Sequence, residues 1–199
     1  MSKASRQAKR ERRERRRRAR WWRAGAAAAA VLVAAGAGFL LLGRAQRPDA
    51  GPPDFTMVAY QGQDVLGGDR VDFAHLVGQG KPVVLNFWAG LCPPCRAEMP
   101  GFQSVYDALG SAYVMVGVDV GPYVNLGSHD DARTFLRDHG ISYPAAYATS
   151  ASPLRRYAVQ GMPTTVIFDA SGNIVTRHTG YFAASAFRQA LQPLLGARP

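Results

Sequence analysis

Cysteine is nearly absent from this chain: its 199 residues contain two, Cys92 and Cys95. That excludes a scaffold stapled by several disulfides, and a bridge between neighbours this near closes too small a loop to add much stability. Histidine is sparse as well, and the four present (His75, His129, His139 and His178) show no ligand spacing. A zinc site needs about four ligands and would require a second chain, so no metal is expected. Beyond residue 23 the chain also lacks net charge. Residues 1–23 hold 12 Lys/Arg and 2 Asp/Glu of totals of 24 and 14, which leaves 12 of each for the rest and places the whole formal +10 in the tail. The basic balance therefore describes the tail and not the remainder, and no nucleic-acid partner is expected. Internal repeats are absent.

The tail gives way to the longest uncharged run in the chain, AGAAAAAVLVAAGAGFLLLG at 24–43. Twenty such residues span roughly 30 Å as a helix, about the thickness of a bilayer's hydrocarbon core. Trp21 and Trp22 stand at its start, where indoles favour the membrane interface. Twelve basic residues before the run, against Arg44 and Arg47 after it, predict a cytoplasmic N-terminus and a C-terminus outside. The run is long, and no clear small-x-small site precedes Arg44; both favour a retained signal anchor over a cleaved peptide. There is no lipobox-like cysteine and no convincing twin-arginine motif. The expectation is a single-pass cell-membrane protein with its bulk exported. Residues 44–54, RAQRPDAGPPD, read as a semi-stiff linker, and 55–196 as one globular domain.

Within that domain, KPVVLNFWA (81–89) and AYVMVGVDV (112–120) are apolar, β-branched runs and predict buried strands. Met99, Phe102, Val105, Tyr106 and Leu109 follow helical spacing over 93–109, with Pro93 and Pro94 in the first turn and a kink expected at Pro100. Residues 130–140 and 152–159 read as helices, and 164–169 and 173–181 as a hairpin closed by ASGN at 170–173. An amphipathic helix over 182–196 ends the domain. Alternating strands and helices predict an α/β sheet with helices on both faces.

Cys92 would then stand where a buried strand gives way to a helix, in the N-cap position. The positive end of a helix stabilises a thiolate, which is the nucleophile of disulfide exchange. Cys95, one turn on, is placed to attack the mixed disulfide. The expected pair is unequal: Cys92 exposed and attacking, Cys95 shielded and resolving. Zinc, a purely structural disulfide and copper held by the thiols with a histidine are the competing readings; a redox dithiol in an exported domain is the strongest.

Residues 83–100, VVLNFWAGLCPPCRAEMP, resemble the active-site segment of the thioredoxin-like proteins of the TlpA/ResA group, and YAVQGMPTTVIFDASGNIVTRHTGY (157–181) is similar to that group's second landmark. The likeness covers roughly 53–195. It implies a thioredoxin-like fold with an N-terminal β extension at 55–72 and a strand–helix insertion within 119–147. It implies a membrane-anchored thiol–disulfide oxidoreductase facing the bacterial exterior or periplasm. Its substrates would be exported proteins with cysteine pairs, apocytochrome c during cytochrome c assembly being the best single guess. It would draw electrons from a membrane thiol donor and act as a monomer, with no cofactor beyond the Cys92–Cys95 couple. Met162-Pro163 would be the group's cis-proline pair, with Met162, Pro163 and Thr164 receiving an extended substrate segment as an added strand. Glu98, three residues past Cys95, would manage the proton of the resolving thiol if partly buried.

Two positions depart from pattern. Asn86 stands where thioredoxins usually carry a buried aspartate, so a proton relay must pass through Glu98 or water. Leu91 stands where the group usually has tryptophan, which leaves an apolar wall without a large aromatic contact. Direction of electron flow follows from the dipeptide: Pro93 and Pro94 have no N–H to offer the Cys92 sulfur, leaving mainly the Cys95 amide. Arg96 is expected to point to solvent. A weakly stabilised thiolate belongs to a reductant more than to an oxidant.

Overall fold

The computed structural model describes residues 54–196. The tail, the apolar run and nearly all of the linker lie outside the described residues, and with them the expected membrane anchor and its orientation. Chain order is β1 (Thr56–Gln61), α1 (Gln63–Leu66), β2 (Arg70–Asp72), a 3-10 turn (Phe73–Leu76), β3 (Val83–Trp88), α2 (Pro93–Leu109), β4 (Val114–Asp119), α3 (Gly121–Val124), α4 (His129–Asp138), β5 (Ala145–Ala148), α5 (Ser152–Arg156), β6 (Thr164–Phe168), β7 (Ile174–Thr179) and α6 (Ala184–Leu195).

The seven strands form one sheet in the order β2-β1-β5-β4-β3-β6-β7. β3, β4 and β5 are parallel neighbours, β6 runs antiparallel to β3, and β7 to β6. β1 and β2 add an antiparallel edge beside β5. The expected β extension is thus β1 and β2, and the expected insertion supplies α4 and β5. β5 itself, AAYA, has no alternation to announce it; its pairing with β1 and β4 makes it a strand.

β3 lies between β4 and β6 and is buried at all six positions, which explains why it reads as one apolar run. Its alternate side chains feed two cores. Val83, Leu85 and Phe87 enter one with Phe55, Phe73 and Tyr157; Val84 and Trp88 enter the other with Phe102, Phe135 and Phe187. Asn86 has the parity of Val84 and Trp88 and so faces α2. The two faces are unequally covered. α2, α4 and α6 all supply the second core, whereas the first is closed by Phe55, the 3-10 turn and the residues around short α5. Helices on both faces is therefore true only in a lopsided sense, because the β extension and its turn occupy space that a long helix would need.

α2 continues through Pro100 to Leu109, although the proline removes the bond to the Arg96 carbonyl. It packs along α6, where the Phe102 and Phe187 rings are 4.3 Å apart. Truncating Phe102 opens this seam: Phe102→Ala should cost about 3–5 kcal/mol, read from denaturant unfolding of the oxidised protein.

Candidate active site

β3 ends at Trp88, and after three intervening residues Cys92 stands as the N-cap of α2 (φ −79°, ψ 110°). Cys92 and Cys95 are joined as a disulfide, with Cα atoms 5.3 Å apart. Pro93 and Pro94 occupy the first two helical positions, so the first amide available to the Cys92 sulfur is that of Cys95, at 3.4 Å. This is the arrangement that the sequence predicts.

The expected difference in exposure is not found. Cys92 is 1 % exposed and Cys95 0 %. The surface is taken by Leu91 instead, 51 % exposed, while Leu126 and Met162 pack on the cluster that holds both cysteines. Leu126 comes from the insertion, whose carbonyl accepts the Leu91 N–H at 2.9 Å. Neighbouring Gly127 has φ +113°, and a Cβ there would stand 2.9 Å from Leu91 Cγ. The two sulfurs differ by position on the helix, N-cap against interior, and not by exposure in the disulfide form.

Arg96 also departs from expectation. Its guanidinium folds back to donate to the Gly90 carbonyl at 3.1 Å and lies over the Phe135 ring at 4.9 Å. Packing against α4 leaves it half-buried, and it ties down the loop ahead of Cys92 without bonding either sulfur. Gly90 allows that loop to approach: a Cβ there would sit 2.6 Å from the Ala132 amide nitrogen of α4.

Glu98 is buried, at 1 % exposure. Oε1 accepts from Asn86 Nδ2 at 2.8 Å and Oε2 from the Phe182 amide at 2.9 Å. Asn86 Nδ2 also donates to Thr165 Oγ1 at 3.1 Å. Asn86 thus serves as a donor to the carboxylate, in the position where an aspartate would be a base. Its parity on β3 is the sequence signal for this contact. Burial pushes the Glu98 carboxyl up to about 7, against the opposing pull of the Phe182 and Asn86 bonds.

Beside β3, Thr164 pairs with Phe87 in the ladder, which brings the preceding residues alongside the disulfide loop. The Met162–Pro163 bond is cis. Pro163 accepts from the Gly180 amide at 2.8 Å, and the backbone groups of Met162 make no hydrogen bond among the described residues. The Thr164 hydroxyl donates to the Gly161 carbonyl at 2.7 Å, so its side chain is committed to holding the loop.

One cluster has no local signal in the sequence. Buried Asp119, opposite Trp88 in the β3–β4 ladder, accepts from Tyr60 at 2.8 Å, His129 at 2.9 Å and the Gly121 amide at 2.8 Å. It anchors the start of the insertion that reaches Leu91. Tyr60 and His129 lie 59 and 10 positions from Asp119, with no regular spacing to mark them. Among the described residues no three histidine, cysteine or acidic side chains converge as metal ligands.

The geometry sets two expected outcomes. Gly90→Ala should lower stability by about 1–3 kcal/mol by forcing the loop away from α4, measurable by denaturant unfolding. Glu98 should make the oxidised domain lose stability as pH rises. Below about 4.5 the carboxyl is protonated folded and unfolded alike; between about 4.5 and about 7 only the unfolded chain releases its proton. The loss amounts to about 3 kcal/mol once both forms are ionised. Glu98→Gln should flatten this slope, and an equal slope in that variant would assign it elsewhere.

A family model described as the AhpC/TSA family matches residues 50–177. Thiol-disulfide oxidoreductase ResA of Halalkalibacterium halodurans is 30% identical over 118 residues, 58% of this chain and 62% of the relative. That of Bacillus subtilis is 32% identical over 119 residues, 59% and 63% respectively. The matched stretch thus spans less than two thirds of these relatives' own length. Among solved structures, a Chlorobium tepidum protein assigned as thiol:disulfide interchange protein DsbE aligns with a TM-score of 0.61 and 26% identity, covering 73% of this chain and 96% of that one. Residues 50–177 take in the first six strands, most of β7, the cysteine pair and the cis-proline loop, and the chain accordingly belongs to the AhpC/TSA family, with a thioredoxin-like fold.

Proposed function

We propose that the protein is a thiol–disulfide oxidoreductase working outside the cytoplasmic membrane, as a reductant of disulfides in exported proteins. The observation that carries this is the Cys92–Cys95 disulfide at the start of α2, with buried Glu98 one turn past the second sulfur.

In the reduced enzyme the Cys92 thiolate attacks one sulfur of a client disulfide. A Cys92–client bond forms, the client bond breaks, and the departing client sulfur leaves as a thiolate that takes up a proton. Glu98, with its proton affinity near neutrality, accepts the Cys95 proton as that thiol turns nucleophile. Cys95 then attacks Cys92, closes the enzyme disulfide and frees the second client sulfur, so two electrons pass from enzyme to client. The unbonded Met162 backbone provides a place for an extended client segment. Pro163 and Thr164 shape that loop.

The reducing direction rests on the proline pair, which leaves the Cys92 sulfur only the Cys95 amide at 3.4 Å. The client class rests on likeness to the TlpA/ResA group: exported proteins with cysteine pairs, apocytochrome c foremost, with electrons returned by a membrane thiol donor. Residues 24–43 would hold the domain at the membrane. Cys92→Ser should abolish insulin disulfide reduction, whereas Cys95→Ser should accumulate a mixed disulfide; reduction that survives in Cys92→Ser would remove the nucleophile assignment. Equilibration with thiol buffers should place the couple near about −270 mV, and a value near about −120 mV would make it a disulfide donor.

A further inference from the structure

Glu98 is held from two sides, and one of them is a short turn. After β7 the chain passes through Gly180, Tyr181 and Phe182 before α6 begins. The Gly180 amide donates to Pro163 and the Phe182 amide to Glu98 Oε2, at 2.8 and 2.9 Å. Three consecutive residues therefore bond both the cis-proline loop and the carboxylate. Tyr181, between them, is 54 % exposed, so its own side chain does little to fix the turn.

His178 does that instead. Its Nε2 lies 3.1 Å from the Tyr181 carbonyl, which can only accept, so Nε2 carries the proton. Its ring stacks on that of Phe182 at 4.1 Å and 19°. In the β6–β7 ladder it stands opposite Thr165, whose hydroxyl accepts from Asn86, the other donor to Glu98. Both the neutral Nε2–H form and the imidazolium donate to Tyr181, so the clamp does not depend on the charge of His178.

We infer that His178 is a positioning residue for Glu98: it clamps the Gly180–Phe182 turn so that the Phe182 amide stays aimed at the carboxylate, and it thereby sets the proton affinity at which Glu98 works. The inference rests on Glu98 as the proton carrier of the proposed reaction. The amide favours the ionised carboxylate and opposes the effect of burial. A turn set loose withdraws that donor and leaves Oε2 buried and unpartnered. Facing Glu98 from other elements are Asn86 of β3 and the buried Tyr143 phenol, which burial and the charge of Glu98 keep protonated; on its own helix Cys95 lies one turn back.

The chain has only three glutamates, Glu11, Glu14 and Glu98, so carboxyl-13C-glutamate NMR of the full chain gives three resonances, with the two tail groups as internal references. Glu98→Gln identifies the third. In the parent Glu98 should titrate near 7. His178→Ala should move that midpoint up by about half to one pH unit, a roughly three- to tenfold tighter proton. His178→Phe, which keeps the stack and loses the Tyr181 bond, should fall between, and it serves also if the alanine variant does not fold. A Glu98 midpoint unchanged in folded His178 variants overturns the clamp and leaves the proton-carrier reading standing. A parent Glu98 that titrates with the tail glutamates overturns both.

Discussion

A carboxylate shut away from water must find its hydrogen bonds inside the protein, and the folding of this domain around Glu98 obeys that constraint. One donor comes from the central strand and the other from the turn before the last helix. Glu98 thus joins α2 to β3, its neighbour in the chain, and to the segment after β7, 84 residues on. Two bonds do not cancel the cost of burial, so the carboxyl retains its proton up to about neutral pH. That incomplete compensation leaves the residue able to exchange a proton near neutral pH and makes it a burden on stability at higher pH.

The dithiol is governed by a different constraint. A helix start normally offers several amides to its N-cap, but two prolines withdraw theirs, and the sulfur of Cys92 has a single long contact with the Cys95 amide. The surrounding loop is held by groups that do not touch sulfur: Arg96 on the Gly90 carbonyl, Leu126 on the Leu91 amide. The groups that hold the loop are therefore distinct from the one amide that faces the Cys92 sulfur, so the loop is held firm without adding donors to that sulfur.

The insertion also has a local purpose. Asp119 gathers Tyr60, His129 and the Gly121 amide at the end of β4, and the chain that leaves this cluster reaches Leu91 beside the disulfide. An added strand and helix thereby become part of the wall around the cysteines. With leucine at 91 that wall is apolar and exposed beside Cys92.

The sequence by itself determined what depends on neighbours along the chain. Short-range periodicity marked β3, α2, the β6–β7 hairpin and α6, and the spacing of Cys92, Cys95 and the proline pair was enough to set the N-cap and its one amide donor. The expected membrane run and its orientation are likewise a matter of composition. Tertiary structure alone decided what depends on residues brought together from a distance. β5 is a strand only because β1 and β4 flank it; Leu126 of the insertion and Met162 of the cis-proline loop pack on the core cluster that holds Cys92; half-buried Arg96 turns back over Phe135 of α4. Glu98 could be placed on the face of Cys95 from helical spacing, but its donors Asn86 and Phe182 lie 12 and 84 residues away. The parity of Asn86 on β3 points to the first of these contacts; the second leaves no local pattern, since any spacing along the chain can be closed once the sheet has formed.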